Sequence, residues 1–481
     1  MRRRRRKRRS AARRILLYGI GGLVAALVLA QVALFLLFDA NAYKHRLEQA
    51  ASAALGMEVK LRGRISIELL PALHFALRGV EVRNRGSTLA TVPHASVGID
   101  LLPLLRGDVR LGTIRLTRPR IFIERDAAGN YNFERPVRGK SGRIPGFDVG
   151  QVQLADLAVT YADRKTDATV ELEGCRLRTR RLSSPGGRAA QIVKNIVIEA
   201  RLGCQEIRRG PYRISDLALT LTAADGRYDL APISMRVLGG TGTGGVRIDA
   251  SRSVKTIDVR YALARFRVEE LFRASTRQSA EGALDLDATL SLRGRKDADF
   301  VRSAEGRILL RGSDLVFNGT DIDKALARYE SSQSFNLLDV GAFFFAGPIG
   351  LVATKGYSFA AIARDASGTT PIPMLVSDWR IERGVAHAED VALATAANRL
   401  AVRGRLDFVN ERFDEVVIAA VDDKGCPKLR QTIRGPFRDP TFDKPSVLAT
   451  LAGPAVRLLK AVTLTGCEVF YNGSVAPPAK G

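Results

Sequence analysis

Apolar and polar residues alternate with a period of two along most of this chain. The clearest run is ALDLDATLSL at residues 283–292, where Leu284, Leu286, Leu290 and Leu292 share one face and Asp, Thr and Ser occupy the other. A helix would scatter these leucines around its surface, whereas a strand places them on one side. Shorter runs of the same kind occur at residues 65–69, 73–77, 80–83, 97–100, 246–250, 257–263 and 400–408.

Helical spacing is confined to short segments. Residues 42–55, AYKHRLEQAASAAL, are predicted to form a helix that ends at Gly56, and residues 297–305 and 321–331 fit one small helix each. Residues 135–150, RPVRGKSGRIPGFDVG, have no periodicity and read as a linker. The sequence therefore predicts a mainly β protein with a few short helices, built as an elongated, twisted antiparallel sheet. Because a few small helices cannot cover so many one-sided strands, we expect this sheet to curl into a groove.

A glycine-rich stretch raises the question of a nucleotide site. VLGGTGTGGVRIDA, residues 237–250, contains a formal G-x-G-x-x-G at Gly240, Gly242 and Gly245. Phosphate binding by this motif needs a strand before the glycines and a helix directly after them. The residues after Gly245 alternate with period two, so we predict a bulged turn over residues 239–245 and no nucleotide site.

The N-terminal region combines a basic run with a long apolar segment. Residues 2–14 carry ten basic residues and no acidic one, and residues 15–38, from Ile15 to Phe38, contain no charged side chain. About 20 apolar helical residues cross a bilayer, so this segment predicts a transmembrane anchor. A cleaved signal peptide is the alternative, but its apolar region would be only about 7 to 15 residues long.

The basic run also sets the expected topology. Because basic residues stay on the cytoplasmic side, we expect residues 1–14 in the cytoplasm and residues 39–481 in the periplasm of a bacterium, with the anchor in the inner membrane. The formal net charge of +25 would otherwise suggest nucleic acid. This topology makes the basic run an orientation signal and a contact for anionic lipid instead, so no nucleic-acid partner is expected.

Four cysteines lie in the part predicted to be exported, where disulfides persist. Three connectivities are possible, and we favour Cys175 with Cys204 and Cys426 with Cys467, because each pair lies within one region of the chain. A metal site is not expected, since the chain lacks paired Cys or His spacing.

No catalytic motif stands out. The four histidines have no metalloprotease spacing, and no G-x-S-x-G sequence is present. Acidic pairs such as Asp285 and Asp287 fit the solvated face of a strand. We therefore expect neither an enzyme nor a cofactor.

The aromatic run from Phe343 to Phe345 places side chains on both faces of a predicted strand. An outward apolar face of an exported protein must be covered. Two interpretations remain open: burial under a helix, or a lining for acyl chains by Phe343 and Phe345 together with Leu284, Leu286, Leu290 and Leu292.

Several segments resemble one family of envelope proteins. The order of basic tail, anchor, short helix, GRISIELLPALHFALRGVEVRNRG and VPHASVGIDLLPLLRGDVRLGTIRLTRPRIFIERDAAGNYNF is similar to the N-terminal module of the AsmA family, with Phe133 where that module ends in Trp. SFNLLDVGAFFFAGPIGLVATKG, IRGPFRDPTF and CEVFYNGSV resemble C-terminal segments of the same family. We accordingly divide the exported part into an N-terminal module (39–138), a middle β-region (139–270) and a C-terminal β-region with short helices (271–481).

The resemblance implies a function as well as a fold. AsmA-like proteins resemble bridge-type carriers with a β-groove for lipid, so the expected partner is a phospholipid or other acyl lipid, carried between inner and outer membrane during outer-membrane biogenesis. The alternative is an envelope scaffold that modulates assembly of outer-membrane protein or lipopolysaccharide through periplasmic or outer-membrane protein partners.

Overall fold

A computed structural model describes most of the chain after residue 39 and confirms a mainly β fold with few, short helices. The described residues are 40–68, 74–84, 86–99, 111–133, 146–186, 189–271, 279–318, 321–324, 326–327, 368–443, 446–447 and 467–478. The predicted anchor with Ile15 and Phe38, and the aromatic run with Phe343 and Phe345, lie outside these residues. No helix within the described ranges is both long and apolar enough to cross a membrane.

The chain divides into two compact units. The first comprises Met1–Ile192 and Ile196–Arg201, and the second Val193–Asn195 and Leu202–Gly481. The boundaries that we placed after residues 138 and 270 were drawn on sequence motifs and stay predictions.

Strands make up most of both units. In the first half of the chain they are β1 (Glu58–Leu61), β2 (Ile65–Glu68), β3 (His74–Asn84), β4 (Ser87–Ile99), β5 (Leu111–Thr117), β6 (Arg120–Arg125), β7 (Phe147–Asp163), β8 (Ala168–Ser184), β9 (Val197–Arg209), β10 (Tyr212–Ala224) and β11 (Arg227–Val237). They continue as β12 (Gly240–Asp249), β13 (Lys255–Arg267), β14 (Ser279–Gly294), β15 (Glu305–Asn318), β16 (Thr369–Glu382), β17 (Val385–Ala394), β18 (Arg399–Asp407), β19 (Arg412–Val421), β20 (Pro427–Pro436), β21 (Thr441–Phe442) and β22 (Ser446–Val447).

The helices connect or flank strands. They are α1 (Lys44–Leu55), preceded by a 3-10 turn at Ala40–Tyr43, α2 (Ala189–Asn195), α3 (Val268–Leu271) and α4 (Asp297–Arg302). Of the predicted helix at 321–331, residues 322–324 and 326–327 are described and helical. Helix α1 ends at Gly56, whose φ of 67° is the left-handed conformation expected of a terminating glycine.

Helix α1 supplies hydrogen-bond acceptors to the edge strands β1 and β2. Ser52 Oγ accepts the N–H of Val59 (2.9 Å), and Glu48 Oε1 accepts that of Leu61 (2.7 Å). Asn41 Oδ1, just before the helix, accepts the N–H of Ile65 (3.0 Å). Unpaired N–H groups at a strand edge can pair with strands of other chains. The side chains of Ser52, Glu48 and Asn41 accept these N–H groups and so make the edge less available for such pairing.

The prediction of a purely antiparallel sheet is wrong in the first unit, because β7 runs parallel to both β5 and β6. Arg118 and Pro119 separate β5 from β6, and both strands also pair with β4. A parallel pairing requires a connection of roughly a dozen residues or more, and the sequence has 21 residues between the end of β6 at Arg125 and the start of β7 at Phe147.

The glycine-rich stretch is a strand, so the predicted bulged turn over residues 239–245 is wrong. Only Leu238 and Gly239, with φ of 51° and 73°, form the turn, and Gly240 already pairs with Val237. Strand β12 then continues to Asp249 between β11 and β13. No helix follows the glycines, which excludes the geometry needed for a nucleotide phosphate.

The second unit contains an extensive core. Its buried residues come mainly from β13 to β20, with further members at Val268, Ile322, Leu326 and Phe437. The largest fully buried side chain of the described residues is Trp379, which donates a hydrogen bond to Ser377 Oγ (2.8 Å). In β17 the neighbours Ala392 and Leu393 both have 0% exposure although they point to opposite faces. The C-terminal part of this sheet is therefore buried on both sides.

Residues 467–478, here called the C-terminal strap, contribute to the second of these buried faces. Tyr471 and Val475 of the strap pack with a cluster that includes Ala392, Ala401 and Ala419. The strap is also held by polar contacts: Tyr471 Oη and Ser474 Oγ each donate to the Asp390 carboxylate (2.6 Å), and buried Arg399 donates to the carbonyl of Val475 (3.0 Å).

A disulfide between Cys426 and Cys467 fixes the start of the strap. Cys175 and Cys204 are disulfide-bonded as well, and none of the cysteines in the described ranges is free. The prediction that the four cysteines form two disulfides is confirmed.

Removing the strap's disulfide is expected to destabilise the second unit. The bond closes a separation of 41 residues, for which the loss of loop-closure entropy in the unfolded chain amounts to about 4 kcal/mol. The Cys426→Ser/Cys467→Ser double variant should therefore unfold at a clearly lower denaturant concentration than the wild type. Measurement under reducing conditions provides the control: both disulfides are then broken in the wild type and the other disulfide in the variant, so the two proteins should unfold at the same denaturant concentration. An unchanged unfolding midpoint would show that the noncovalent contacts alone hold the strap.

Candidate functional site

Strand β14 has the alternation that its sequence predicts. Leu284, at 4% exposure, belongs to the core of the second unit, and Leu286, Leu290 and Leu292 on the same face are half-buried. Asp285, on the opposite face, is exposed. The structure thus brings the four predicted leucines together on one face, and their role in lipid binding stays a prediction.

The register aligns this face with those of the neighbouring strands. Directly paired residues form four rows that run across the strands from β10 or β11 to β14. The first two rows are Leu221, Leu230, Val246, Val259 and Leu290, followed by Ala223, Tyr228, Ile248, Ile257 and Leu292. The other two are Leu219, Ile233, Gly244, Tyr261 and Ala288, and Met235, Gly242, Leu263 and Leu286.

Burial changes along these rows. Every residue of the row from Leu221 to Leu290 is half-buried. The row that contains Gly244 and Tyr261 continues through Ile308 to Trp379, whose exposures fall to 7% and 1%. Most residues of the four rows on β10–β14 are therefore partly accessible, although Leu263 of β13, at 6% exposure, already belongs to the core that includes Ile308 and Trp379. We call the four rows on β10–β14 the open apolar face.

The opposite face of the same strands is polar. Arg247 pairs with Asp229 (3.1 Å), Arg236 with Asp216 (3.4 Å), and Ser291 Oγ donates to Asp258 (2.7 Å). These exposed ion pairs contribute little to stability individually. These polar groups keep this face compatible with water. On these strands the open apolar face is the one whose exposure to water is unfavourable.

The first unit carries comparable rows. One runs through Ile65, Leu77, Ala95, Leu116, Leu154 and Leu177, and a second through Ile67, Phe75, Val97, Ile114 and Val152. Most of these side chains are half-buried, like those of the open apolar face. Parallel pairing at β5–β7 does not interrupt the rows, because paired residues of a parallel ladder also share a face.

Two clefts lie on the second unit. A cleft of about 900 Å³ is lined by residues of β11–β15 from both faces of the strands: Val246, Val259 and Leu290 of the open apolar face, and Asp229, Arg247, Asp258 and Ser291 of the polar face. Another of about 520 Å³, at β16–β19 and the strap, is lined largely by charged residues. In it Glu389 neutralises Arg380 and Asp414 neutralises Arg405 (2.6 and 2.7 Å). The charged cleft therefore offers no strong field for a ligand.

The possible metal ligands of the described residues are scattered. Within the described ranges, no three His, Cys, Asp or Glu side chains lie close enough together to hold a metal ion. The histidines that the sequence singled out are dispersed: His45 is 80% exposed near Glu48, and His387 lies 4.0 Å from Glu382.

Sequence reasoning missed Tyr261 as a member of the site. It pairs with Gly244, and its ring lies over Gly242, where a Cβ atom would be only 1.9 Å from the tyrosine hydroxyl. The period-two run at residues 257–263 could have indicated it, since position 261 has the same parity as Ile257 and Val259.

Comparison with known proteins supports the family expected from the motifs. A search of curated proteins gives no significant match. The model of the AsmA family matches residues 9–196 and 205–391. These ranges contain every strand of the apolar rows in both units. They cover well over half of the sequence, and the chain therefore belongs to the AsmA family.

Proposed function

We propose that this protein is an anchored, non-catalytic carrier that moves phospholipid between the inner and outer membranes along its apolar strand faces. Membership of the AsmA family supports a function associated with the cell envelope. In this proposal residues 15–38 hold the chain in the inner membrane, residues 1–14 stay in the cytoplasm, and the β units lie in the periplasm, each with an apolar β-groove for lipid.

The observation that carries the proposal is the open apolar face. A strand face covered by a second protein layer is sealed, as at Leu310 with 1% exposure. Leu230, Val246, Val259 and Leu290 are instead half-buried in one unbroken row. Each exposed apolar Å² costs roughly 25 cal/mol in water, so such a face is stabilised by an apolar occupant.

The dimensions of the rows suit an acyl chain. Adjacent strands are about 4.8 Å apart, so a row that crosses five strands is about 19 Å long. An extended phospholipid acyl chain has a similar length. Because the first unit presents rows of the same kind, each unit offers a lipid a comparable surface.

Charged substitutions on the open apolar face should abolish lipid binding. In the Leu286→Asp/Leu290→Asp variant two carboxylates would lie on the half-buried face, where an acyl chain cannot solvate them. We expect photo-crosslinking of phospholipid from a probe in β14 to fall by at least tenfold. The measurement is mass spectrometry of the crosslinked full-length protein.

A matched control lies on the same strand. Thr289→Asp adds a carboxylate to the exposed, polar face of β14 and should leave crosslinking unchanged. Circular dichroism of both variants checks that the sheet is retained. Undiminished crosslinking in the leucine variant would contradict the carrier and favour a scaffold that acts through protein partners.

The topology can be tested separately. Protease added to spheroplasts should digest residues 39–481 and leave an epitope placed before residue 15 intact, because the basic run holds the N-terminus in the cytoplasm. Lysed spheroplasts, in which both sides are accessible, are the control. Protection of residues 39–481 in intact spheroplasts would contradict the proposed periplasmic location.

A further inference from the structure

The open apolar face contains two polar side chains, Tyr228 and Tyr261, among its aliphatic residues and glycines. Tyr228 already interacts with another part of the protein. Tyr261 lies nearer the centre of the face, on β13 between Gly244 of β12 and Ala288 of β14. A phenol in this position is unusual, since a leucine or phenylalanine would serve packing alone.

Two glycines of β12 create the space for the Tyr261 side chain. A Cβ atom on Gly242 would lie 1.9 Å from the tyrosine Oη and 2.7 Å from Cζ, and one on Gly244 would lie 3.0 Å from Cδ2. The ring therefore lies flat over β12 in the place where two side chains would otherwise be. Met235 of β11 borders the same space, 3.4 Å from the Gly242 position.

The Tyr261 hydroxyl has no hydrogen-bond partner among the described residues, although Trp379 and Tyr471 of the same unit donate to Ser377 and Asp390. Partial burial raises the pKa of the Tyr261 phenol above its usual value, so the group stays protonated at neutral pH. A buried or half-buried tyrosine normally finds a partner for its O–H. The face thus presents a hydrogen-bond donor that no described protein group accepts.

We infer that the Tyr261 hydroxyl donates a hydrogen bond to an ester carbonyl of a phospholipid whose acyl chain lies on the open apolar face. The inference rests on the proposed function, because it requires that lipid occupies this face. The ester carbonyl is the first polar group above the acyl chain. Its transfer out of water costs free energy unless it accepts a hydrogen bond from the protein. The phosphate, which needs far stronger solvation, can remain in water at the border of the face.

This role makes Tyr261 a specificity-determining residue. A phospholipid with ether-linked chains has the same apolar length but no carbonyl oxygen to accept the bond. One hydrogen bond of ordinary strength corresponds to a preference of about two- to tenfold for the ester lipid. The apolar rows alone would bind both lipids equally.

The experiment compares two lipids of equal chain length on the purified full-length protein. Dipalmitoyl phosphatidylethanolamine and its dihexadecyl ether analogue are supplied in equal amounts, and bound lipid is quantified by native mass spectrometry. Wild-type protein should prefer the ester lipid, and Tyr261→Phe should bind both equally while its total lipid occupancy stays close to that of the wild type. Tyr228→Phe, the other tyrosine of the face, is the matched control and should retain the preference.

A second variant tests the geometry with the hydroxyl still present. Gly242→Ala forces the Tyr261 hydroxyl out of its place over β12 and should also remove the preference. Gly245→Ala on the other face of the same strand, where the nearest atom is the Ala231 Cβ at 3.1 Å, needs only a small adjustment and should keep it.

The outcomes separate this inference from the proposed function. Loss of the ester preference in Tyr261→Phe, with lipid still bound, supports both. An equal preference in wild type and Tyr261→Phe, or no preference in the wild type, overturns the role of Tyr261 and leaves the carrier intact. Binding of neither lipid by the wild type overturns the proposed function and this inference with it.

Discussion

The structure depends on one constraint, that each strand buries one face while its backbone is satisfied within the sheet. Since side chains alternate strictly, a slip of one residue in register would turn every apolar side chain of a strand towards water. The pairing of Leu230 with Val246, Val246 with Val259 and Val259 with Leu290 shows that the register holds from strand to strand. Continuous apolar rows are the direct result.

The same constraint is met in two ways within the second unit. At β17–β19 both faces are sealed, one by the main core and the other with the help of the C-terminal strap. Arg399 is only 5% exposed and its guanidinium donates to the carbonyls of Val475 and Asp422, so a buried charge ties the strap to a neighbouring turn. At β10–β14 the apolar face remains half-buried. The contrast argues that the open face is a property of those strands and does not reflect a generally poor core.

Much of the fold could be predicted from the sequence because alternation is a local signal. The alternation predicted the strand around Leu286, and Gly56 predicted the end of α1. The direction of strand pairing could not be predicted in this way. Side chains alternate with period two in parallel and antiparallel strands alike, so the sequence did not reveal that β7 runs parallel to β5 and β6. Phe266 was missed for another reason. A bulge at Arg265, with φ of 52°, inserts one residue and returns Phe266 to the buried face three positions after Leu263.

The glycine stretch shows where sequence patterns lose their meaning. Gly240, Gly242 and Gly244 fall on the apolar face of β12, but an absent side chain is neither apolar nor polar, and the alternation cannot be read there. The Tyr261 ring of the neighbouring strand β13 fills the missing volume, and this contact follows from the strand register, which the sequence pattern does not show. Glycine weakens a strand interior by roughly 0.5 to 1 kcal/mol relative to alanine, so three of them on one face are a cost that packing must offset. The aromatic ring of Tyr261 provides that packing, and phenylalanine would provide it equally well; the hydroxyl is the part of the arrangement for which packing gives no reason.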